Sequence, residues 1–209
     1  LLAYGQHWHV SVERNRLIYQ DERGLLDLPL PNLLGPHQVM NAGGAIAALR
    51  ALGKDEAACE AAVTRAYWPA RMEKLTKGAL VELAAPAELW LDGGHNPAAG
   101  KVLAATLSAQ LQRPTHLICG MLKTKNVRGY LRHLAGVADS LTAVSIPGEA
   151  ATLTAAQTAE EADAVGLKAR VAETVQEAIG QITQETPHAR ILICGSLYLA
   201  GHVMRENSV

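Results

Sequence analysis

The sequence predicts an α/β protein, with a mostly parallel, doubly wound sheet in its carboxyl-terminal part and a smaller α+β part before it. Three observations lead there. Beyond Trp68-Pro69-Ala70-Arg71, short apolar runs alternate with helical stretches in the order strand, loop, helix, repeated, which is the pattern of a parallel sheet with helices on its faces. Ahead of that segment, two short β-type runs meet at a turn and are followed by Ala-rich helical stretches. The length of 209 residues, 49% of them apolar and none a Phe, suffices for one good core or two compact lobes.

Taken in order, Trp8 to Val12 and Arg16 to Gln20 flank Glu13-Arg14-Asn15, so a hairpin is expected, with a third extended piece from Gly24 to Leu30. Pro29, Pro31, Gly35 and Pro36 mark a loop. Asn41 to Leu52 reads as a small-residue helix ending at Gly53, with Asn41 near its amino end. Asp55 to Tyr67 is a second helix, opened by acidic residues that suit the helix dipole and broken at Trp68-Pro69. The domain boundary is placed there, giving 1–67 and 68–209. Four strand and helix pairs then follow: Glu88 to Asp92 with Pro97 to Leu111, Thr115 to Cys119 with Val127 to Ala135, Leu141 to Ile146 with Ala155 to Val165, and Arg190 to Cys194 with Tyr198 to Glu206. Val171, Val175, Ile179 and Ile182 form one apolar helical stripe facing the sheet.

Nineteen Lys plus Arg against twenty Asp plus Glu, scattered along the chain, give no polyelectrolyte argument for a nucleic-acid or membrane partner. The three cysteines have no metal spacing, and Cys119 and Cys194 lie in apolar runs, where a thiol behaves as a small buried hydrophobe. A reducing, cytoplasmic setting is the natural reading. No apolar run approaches the ~20 residues that span a bilayer. The chain starts without Met, on Leu1-Leu2-Ala3-Tyr4-Gly5, which reads as the inside of a folded unit and so suggests a fragment.

In an open α/β sheet, ligands sit beyond the carboxyl ends of the strands, and three such ends here lead into suggestive loops. In Asp92-Gly93-Gly94-His95-Asn96-Pro97 the glycines permit a tight turn, Asn96 can cap and Pro97 fits the first helical position. Asp92 is placed either to accept from a ribose or merely to organise the turn. The loop Cys119 to Asn126 carries Lys123 and Lys125, which would hold an anion or simply be solvated. Gly195-Ser196 opens a helix, where free amides could hold a carboxylate or phosphate or Ser196 could serve only as a cap. Neither G-x-G-x-x-G nor G-x-x-x-x-G-K-[ST] is present. His7 and His9 flank Trp8 and would share a strand face, a weak metal hint without a third ligand.

Five segments in order carry a resemblance. Gly35-Pro36-His37-Gln38-Val39-Met40-Asn41-Ala42 resembles G-x-H-Q-x-x-N-A; Trp68-Pro69-Ala70-Arg71 resembles W-P-G-R; Leu91-Asp92-Gly93-Gly94-His95-Asn96-Pro97 resembles D-G-A-H-N-P; Gly120 to Asn126 resembles G-M-L-x-D-K-D; and Gly195-Ser196-Leu197-Tyr198-Leu199 resembles G-S-L-Y-L. These are signatures of the folylpolyglutamate and dihydrofolate synthases of the Mur ligase superfamily, and the resemblance spans nearly the whole chain. It implies a remnant of the central ATPase domain over 1–67 and a Rossmann-like glutamate ligase domain over 68–209.

The resemblance further implies an ATP-dependent ligase that phosphorylates a pterin substrate's carboxylate and lets the amine of L-glutamate attack the acyl phosphate. Its ligands would be ATP, Mg²⁺, L-glutamate and dihydropteroate or folate, in a cytoplasmic enzyme that leans towards a monomer. By similarity Asn41 would contact the adenine, Arg71 the phosphates and Asp92 the ribose, while His95 and Ser196 match positions near the incoming glutamate. The family's phosphate loop, magnesium ligands and modified lysine have no counterpart in these residues, so the fragment alone is expected to be inactive, with no catalytic residue assigned within it. Ala70 stands where the family has Gly, which suggests a backbone there that is not strictly left-handed. Gly94 for Ala is expected to matter little, and Thr124 and Asn126 for acidic residues leave that loop more basic. Two alternatives stay open: a nucleotide- or amino-acid-binding module without catalysis, and a peptidoglycan-type ligase of the same superfamily.

Overall fold

The computed structural model describes residues Leu1–Ser208, and the chain divides into two compact units, Leu1–Pro69 and Ala70–Val209. The first opens with an antiparallel meander of β1 (Trp8–Glu13), β2 (Arg16–Asp21) and β3 (Gly24–Leu28). Glu13 pairs with Arg16, and the intervening Arg14 and Asn15 both adopt left-handed backbone, with φ of 50° and 63°. Such a turn carries the twist that antiparallel strands need. Alternation puts Trp8, Val10, Leu17, Tyr19, Leu26 and Leu28 on one buried face.

That face is covered by α1 (His37–Ala51), through Ala42, Ile46 and Ala47, and by Cys59 and Val63 of α2 (Glu56–Thr64). Gly43 makes the close approach possible, since a Cβ on it would stand 2.6 Å from the Trp8 ring and 2.8 Å from Val10. At the far end of α1 the Arg50 fork grips Asp21 with two bonds of 2.7 Å, both side chains being 11% exposed.

Several boundaries depart from expectation. The third strand stops at Leu28 because Pro29 has no N–H to continue the ladder. Helix α1 begins at His37, with Pro36 before it at φ −61°, so Asn41 sits in the second turn rather than near the amino end. Proline's fixed φ suits a helix start. Helix α2 is capped by Asp55 through the Ala58 amide and ends at Thr64, ahead of Trp68-Pro69. Asn32 ends it: its N–H donates to Val63 O at 3.0 Å and its side-chain amide to Ala66 O at 3.2 Å, taking carbonyls that another turn would need.

The second unit contains, in chain order, β4 (Glu73–Leu75), α3 (Ala79–Ala84), β5 (Glu88–Leu91), α4 (Pro97–Ser108), β6 (Thr115–Cys119) and α5 (Val127–Leu131). It continues with β7 (Ser140–Ala143), α6 (Ala155–Asp163), β8 (Ala169–Val171), α7 (Val175–Glu185), β9 (Arg190–Cys194) and α8 (Leu197–Glu206). The strands form one sheet in the order β4-β5-β9-β6-β7-β8. Every pairing is parallel except that of edge strand β4 with β5. This is the predicted α/β architecture.

Both faces are covered. Leu80, Ile179, Ile182 and Val203 from α3, α7 and α8 pack on Leu89, Leu91, Ile118, Ile191 and Ile193. Leu103, Leu107, Tyr130, Leu131 and Ala162 from α4, α5 and α6 pack on Trp90, Leu117, Leu141 and Leu192. The central strand β9 is buried along its whole length, which explains its uninterrupted apolar run.

Strands β6 and β9 have the expected bounds, whereas β4, α3 and β8 escaped the sequence reading; each is only three to six residues long, too short to show a period. Val171 belongs to β8 and is 50% exposed, so the α7 stripe starts instead at Val175, after the Thr174 cap. His7 lies outside β1, and its Nδ1 accepts the Ala3 amide at 3.0 Å. No helix among the described residues is long and apolar enough to cross a membrane.

Candidate functional site

Strands β5, β9 and β6 are neighbours, so their carboxyl ends bring three loops to one edge of the second unit: Asp92–Asn96, Gly195–Ser196 and Gly120–Asn126. Asp92 extends the ladder through its N–H to Ile193 O at 2.9 Å. Its side chain is 9% exposed and accepts two backbone amides, Gly94 N–H on Oδ1 at 2.7 Å and Met72 N–H on Oδ2 at 2.9 Å. Gly93 N–H in turn donates to Ala70 O at 2.9 Å. Asp92 therefore does more than shape its own turn: it fastens the Ala70-Arg71-Met72 corner to the end of β5.

That corner is strained. Ala70 and Met72, on either side of Arg71, have φ of 55° and 45°, a region that costs a residue bearing a Cβ about 1–2 kcal/mol. This corrects the expectation for Ala70, whose backbone is left-handed after all. The tethers outweigh the strain, with Glu73 Oε2 accepting the Ala70 amide at 2.9 Å as a further one. The half-buried Arg71 guanidinium reaches Ala70 O only at 3.5 Å, a long contact, and forms no ion pair among the described residues.

The Gly-Gly pair explains how the loops close up. A Cβ on Gly93 would collide with Leu197 and approach Arg71 Nη1 at 3.4 Å. Gly93, Arg71 and the first residue of α8 therefore converge. A Cβ on Gly94 would stand 2.8 Å from Asp92 Oδ1 and 3.0 Å from Ala99 Cβ, so an alanine here would press on the carboxylate, contrary to the small consequence expected. His95 is half-buried, with Nδ1 2.9 Å from Gly93 O; that carbonyl can only accept, so Nδ1 is the donor of this contact. Asn96 caps α4 through the Ala99 amide at 2.9 Å.

Ser196 is 3% exposed and its Oγ accepts the Tyr198 amide at 3.1 Å, the geometry of a helix cap. In the third loop Asn126 caps α5 through the Gly129 amide at 2.8 Å, and neither Lys123 nor Lys125 forms an ion pair among the described residues. Beneath these loops Cys119 and Cys194 face each other across β6 and β9 as free thiols. Their mutual hydrogen bond and burial push the Cys119 thiol well up, and burial does the same for the Tyr130 phenol.

Arg71, Asp92, His95 and Ser196 accordingly lie at one strand edge of the second unit. Asn41 lies on α1 of the first unit, exposed, with Nδ2 donating to Gln38 Oε1 at 2.9 Å. That bond orients the side-chain amide, with Nδ2 engaged and Oδ1 remaining an acceptor. Sequence reasoning missed Met72, Leu197 and Gln38. Met72 acts through its backbone and is invisible to motif reading, while Leu197 and Gln38 stood inside segments already singled out. No group of three or more His, Cys, Asp or Glu among the described residues could hold a metal ion.

The model of the family described as dihydrofolate synthetase, C-terminal domain, matches residues 82–206. Folylpolyglutamate synthase of Lacticaseibacillus casei is 29% identical over 196 residues, covering 90% of this chain and 42% of that protein. Among solved structures, E. coli FolC in complex with DHPP and ADP superposes with a TM-score of 0.82 at 27% identity, over 98% of this chain and 47% of that one. Mycobacterium tuberculosis folylpolyglutamate synthase complexed with ADP and AMPPCP gives 0.81 at 27% identity, over 97% and 48%. A bifunctional folylpolyglutamate synthase/dihydrofolate synthase with Mn, AMPPNP and L-glutamate bound gives 0.77 at 26% identity, over 97% and 46%. The chain spans less than half the length of each of these relatives. With its sheet order, its strand-end loops and a family match over more than half its residues, the chain belongs to the dihydrofolate synthetase C-terminal domain family.

Proposed function

We propose that this chain is the carboxyl-terminal part of an ATP-dependent acid–amino-acid ligase that joins L-glutamate to dihydropteroate or to (poly)glutamylated folate. The observation that carries the reading is the Arg71 corner, where an arginine stands between two left-handed residues and the backbone amide of the next residue, Met72, is tied to Asp92. Strain of this kind is kept where geometry matters for function. Relatives whose structures hold ADP, AMPPNP and L-glutamate support it.

In this reading Asn41 meets the adenine with its side-chain amide, Asp92 the ribose and Arg71 the phosphates, where a planar fork of charged donors suits phosphoryl oxygens. His95 and Ser196 receive the glutamate. The γ-phosphoryl group passes to the substrate carboxylate, leaving ADP and an acyl phosphate. The glutamate nitrogen then attacks the carbonyl carbon, phosphate leaves with the bond electrons, and the nitrogen loses a proton to give the amide. This chain's share is positioning and charge stabilisation. Residues 1–67 form the end of the central ATPase domain, and 68–209 the glutamate ligase domain. Mg²⁺ ligands and the triphosphate cradle are assigned to residues outside this chain, which alone would be inactive. We place the complete enzyme in the cytoplasm as a monomer, in keeping with three free, buried cysteines.

The test is ADP release by a polypeptide that includes the upstream part. ADP should appear only when ATP, a pteroate or folate, and glutamate are all present. No release with all three, or release that ignores glutamate, would overturn the reading.

A further inference from the structure

At the opposite edge of the second unit, where the strands begin, the α4–β6 and α5–β7 connections flank an open cavity of about 610 Å³. Arg190, the first residue of the central strand, lines it and is 5% exposed. A guanidinium carries five N–H donors. Nη2 donates to Leu111 O at 3.0 Å and Nη1 makes a long contact of 3.4 Å to Thr115 Oγ1. Nε is shut away from water with no acceptor among the described residues, and Arg190 forms no ion pair among them. Burial pulls this guanidinium below its ordinary value; Glu88 offsets that, and Arg113 adds to it.

Arg113 lines the same cavity. Its carboxylate partner, Glu88 Oε1 at 3.3 Å, is shared with Lys74 at 2.8 Å. The acid that lines the cavity is Asp139, whose Oδ2 already accepts the Thr115 amide at 2.8 Å. A buried cation with no carboxylate partner is costly, and an anion meeting its Nη donors would lower that cost.

We propose that this cavity is a binding site for a small monocarboxylate held between Arg190 and Arg113. Charge selects a monoanion: two arginines and one acid, Asp139, line the cavity, and Arg113 is already paired with Glu88. A planar carboxylate fits a guanidinium fork, whereas a phosphate dianion would crowd the Asp139 charge. The long Nη1 contact to Thr115 is the one that gives way to the ligand. Because the cavity lies at the amino ends of the strands and Asp92 beyond the carboxyl end of β5, this site stands or falls independently of the ligase reading.

The 209-residue chain would be titrated with sodium acetate and, in a parallel arm, with inorganic phosphate at constant ionic strength, following the arginine Nε–Hε NMR signals. The expected result is a saturable shift of the Arg190 and Arg113 signals by acetate, with affinity reduced about tenfold in Arg113→Gln, read on Arg190, and in Arg190→Lys, read on Arg113. No saturation by acetate, saturation by phosphate alone, or an affinity in both variants equal to that of the parent would overturn the site. Should Arg190→Lys fail to fold, Arg113→Gln decides, since that side chain is 36% exposed and its loss leaves the core untouched.

Discussion

Asp92 accepts the Met72 amide at 2.9 Å across twenty residues of chain, and by that bond a strand end holds a basic, left-handed corner in place. Replacing Asp92 with Ala removes the acceptor of two buried amides, at a cost of about 1–3 kcal/mol for each one left unsatisfied. Urea unfolding of the chain should report that loss. In the complete enzyme the same substitution should raise the ATP requirement. A variant with unchanged stability and unchanged nucleotide dependence would show that the bond does not matter.

Ala70 holds a φ of 55°, so glycine should relax it. The left-handed strain relieved, about 1–2 kcal/mol, exceeds the ~0.5–1 kcal/mol that glycine loses in chain entropy. Ala70→Gly should therefore raise stability by about 0.5 kcal/mol, read from denaturant midpoints at unchanged slope. A lower midpoint would count against strain at this position.

Gly43 lies inside α1, where alanine would ordinarily be the better helix former by about 1 kcal/mol. Its Cβ would nevertheless enter the Trp8 ring and Val10, at 2.6 and 2.8 Å, and overpacking of this kind costs about 1–3 kcal/mol. Gly43→Ala should destabilise the first unit, with Trp8 fluorescence shifted. Stabilisation would mean that helix and sheet can part without cost.

The Asp21–Arg50 contact makes the first unit sensitive to acid. Burial alone would raise the Asp21 carboxyl, but the Arg50 fork and the Arg23 amide outweigh it and hold the value below 3.8. A depressed folded value contributes stability that is present above the unfolded value and lost as pH falls through the folded one. Stability should thus fall away below about pH 4, less so in Asp21→Asn. Tyr19 gives the opposite limb: burial, then the Asp21 charge, push its phenol from 10.0 to about 12. That contribution is complete below pH 10 and disappears as pH rises through about 12, and Tyr19→Phe should flatten the alkaline limb. Equal pH profiles in these variants and the parent would refute both assignments.

The sequence by itself determined the fold class, because burial on both faces demands uninterrupted apolar strands such as Arg190–Cys194 and periodic helices between them. It also determined which loops to watch, since Gly-Gly, Asn-Pro and Gly-Ser mark strand-to-helix turns through local chemistry alone. Tertiary structure decided the rest. The short edge strands Glu73–Leu75 and Ala169–Val171 exist through pairing with β5 and β7, which no local period announces. The end of α2 was set by Asn32, some thirty residues away, and the left-handed turn of Ala70 by hydrogen bonds to Gly93 and Glu73. Asp92 changed most: read locally it was a turn former or a ligand contact, and only the fold shows it holding Met72. The physical reason is the same throughout. Local sequence fixes what a residue can donate, accept or bury, and long-range packing chooses the partner.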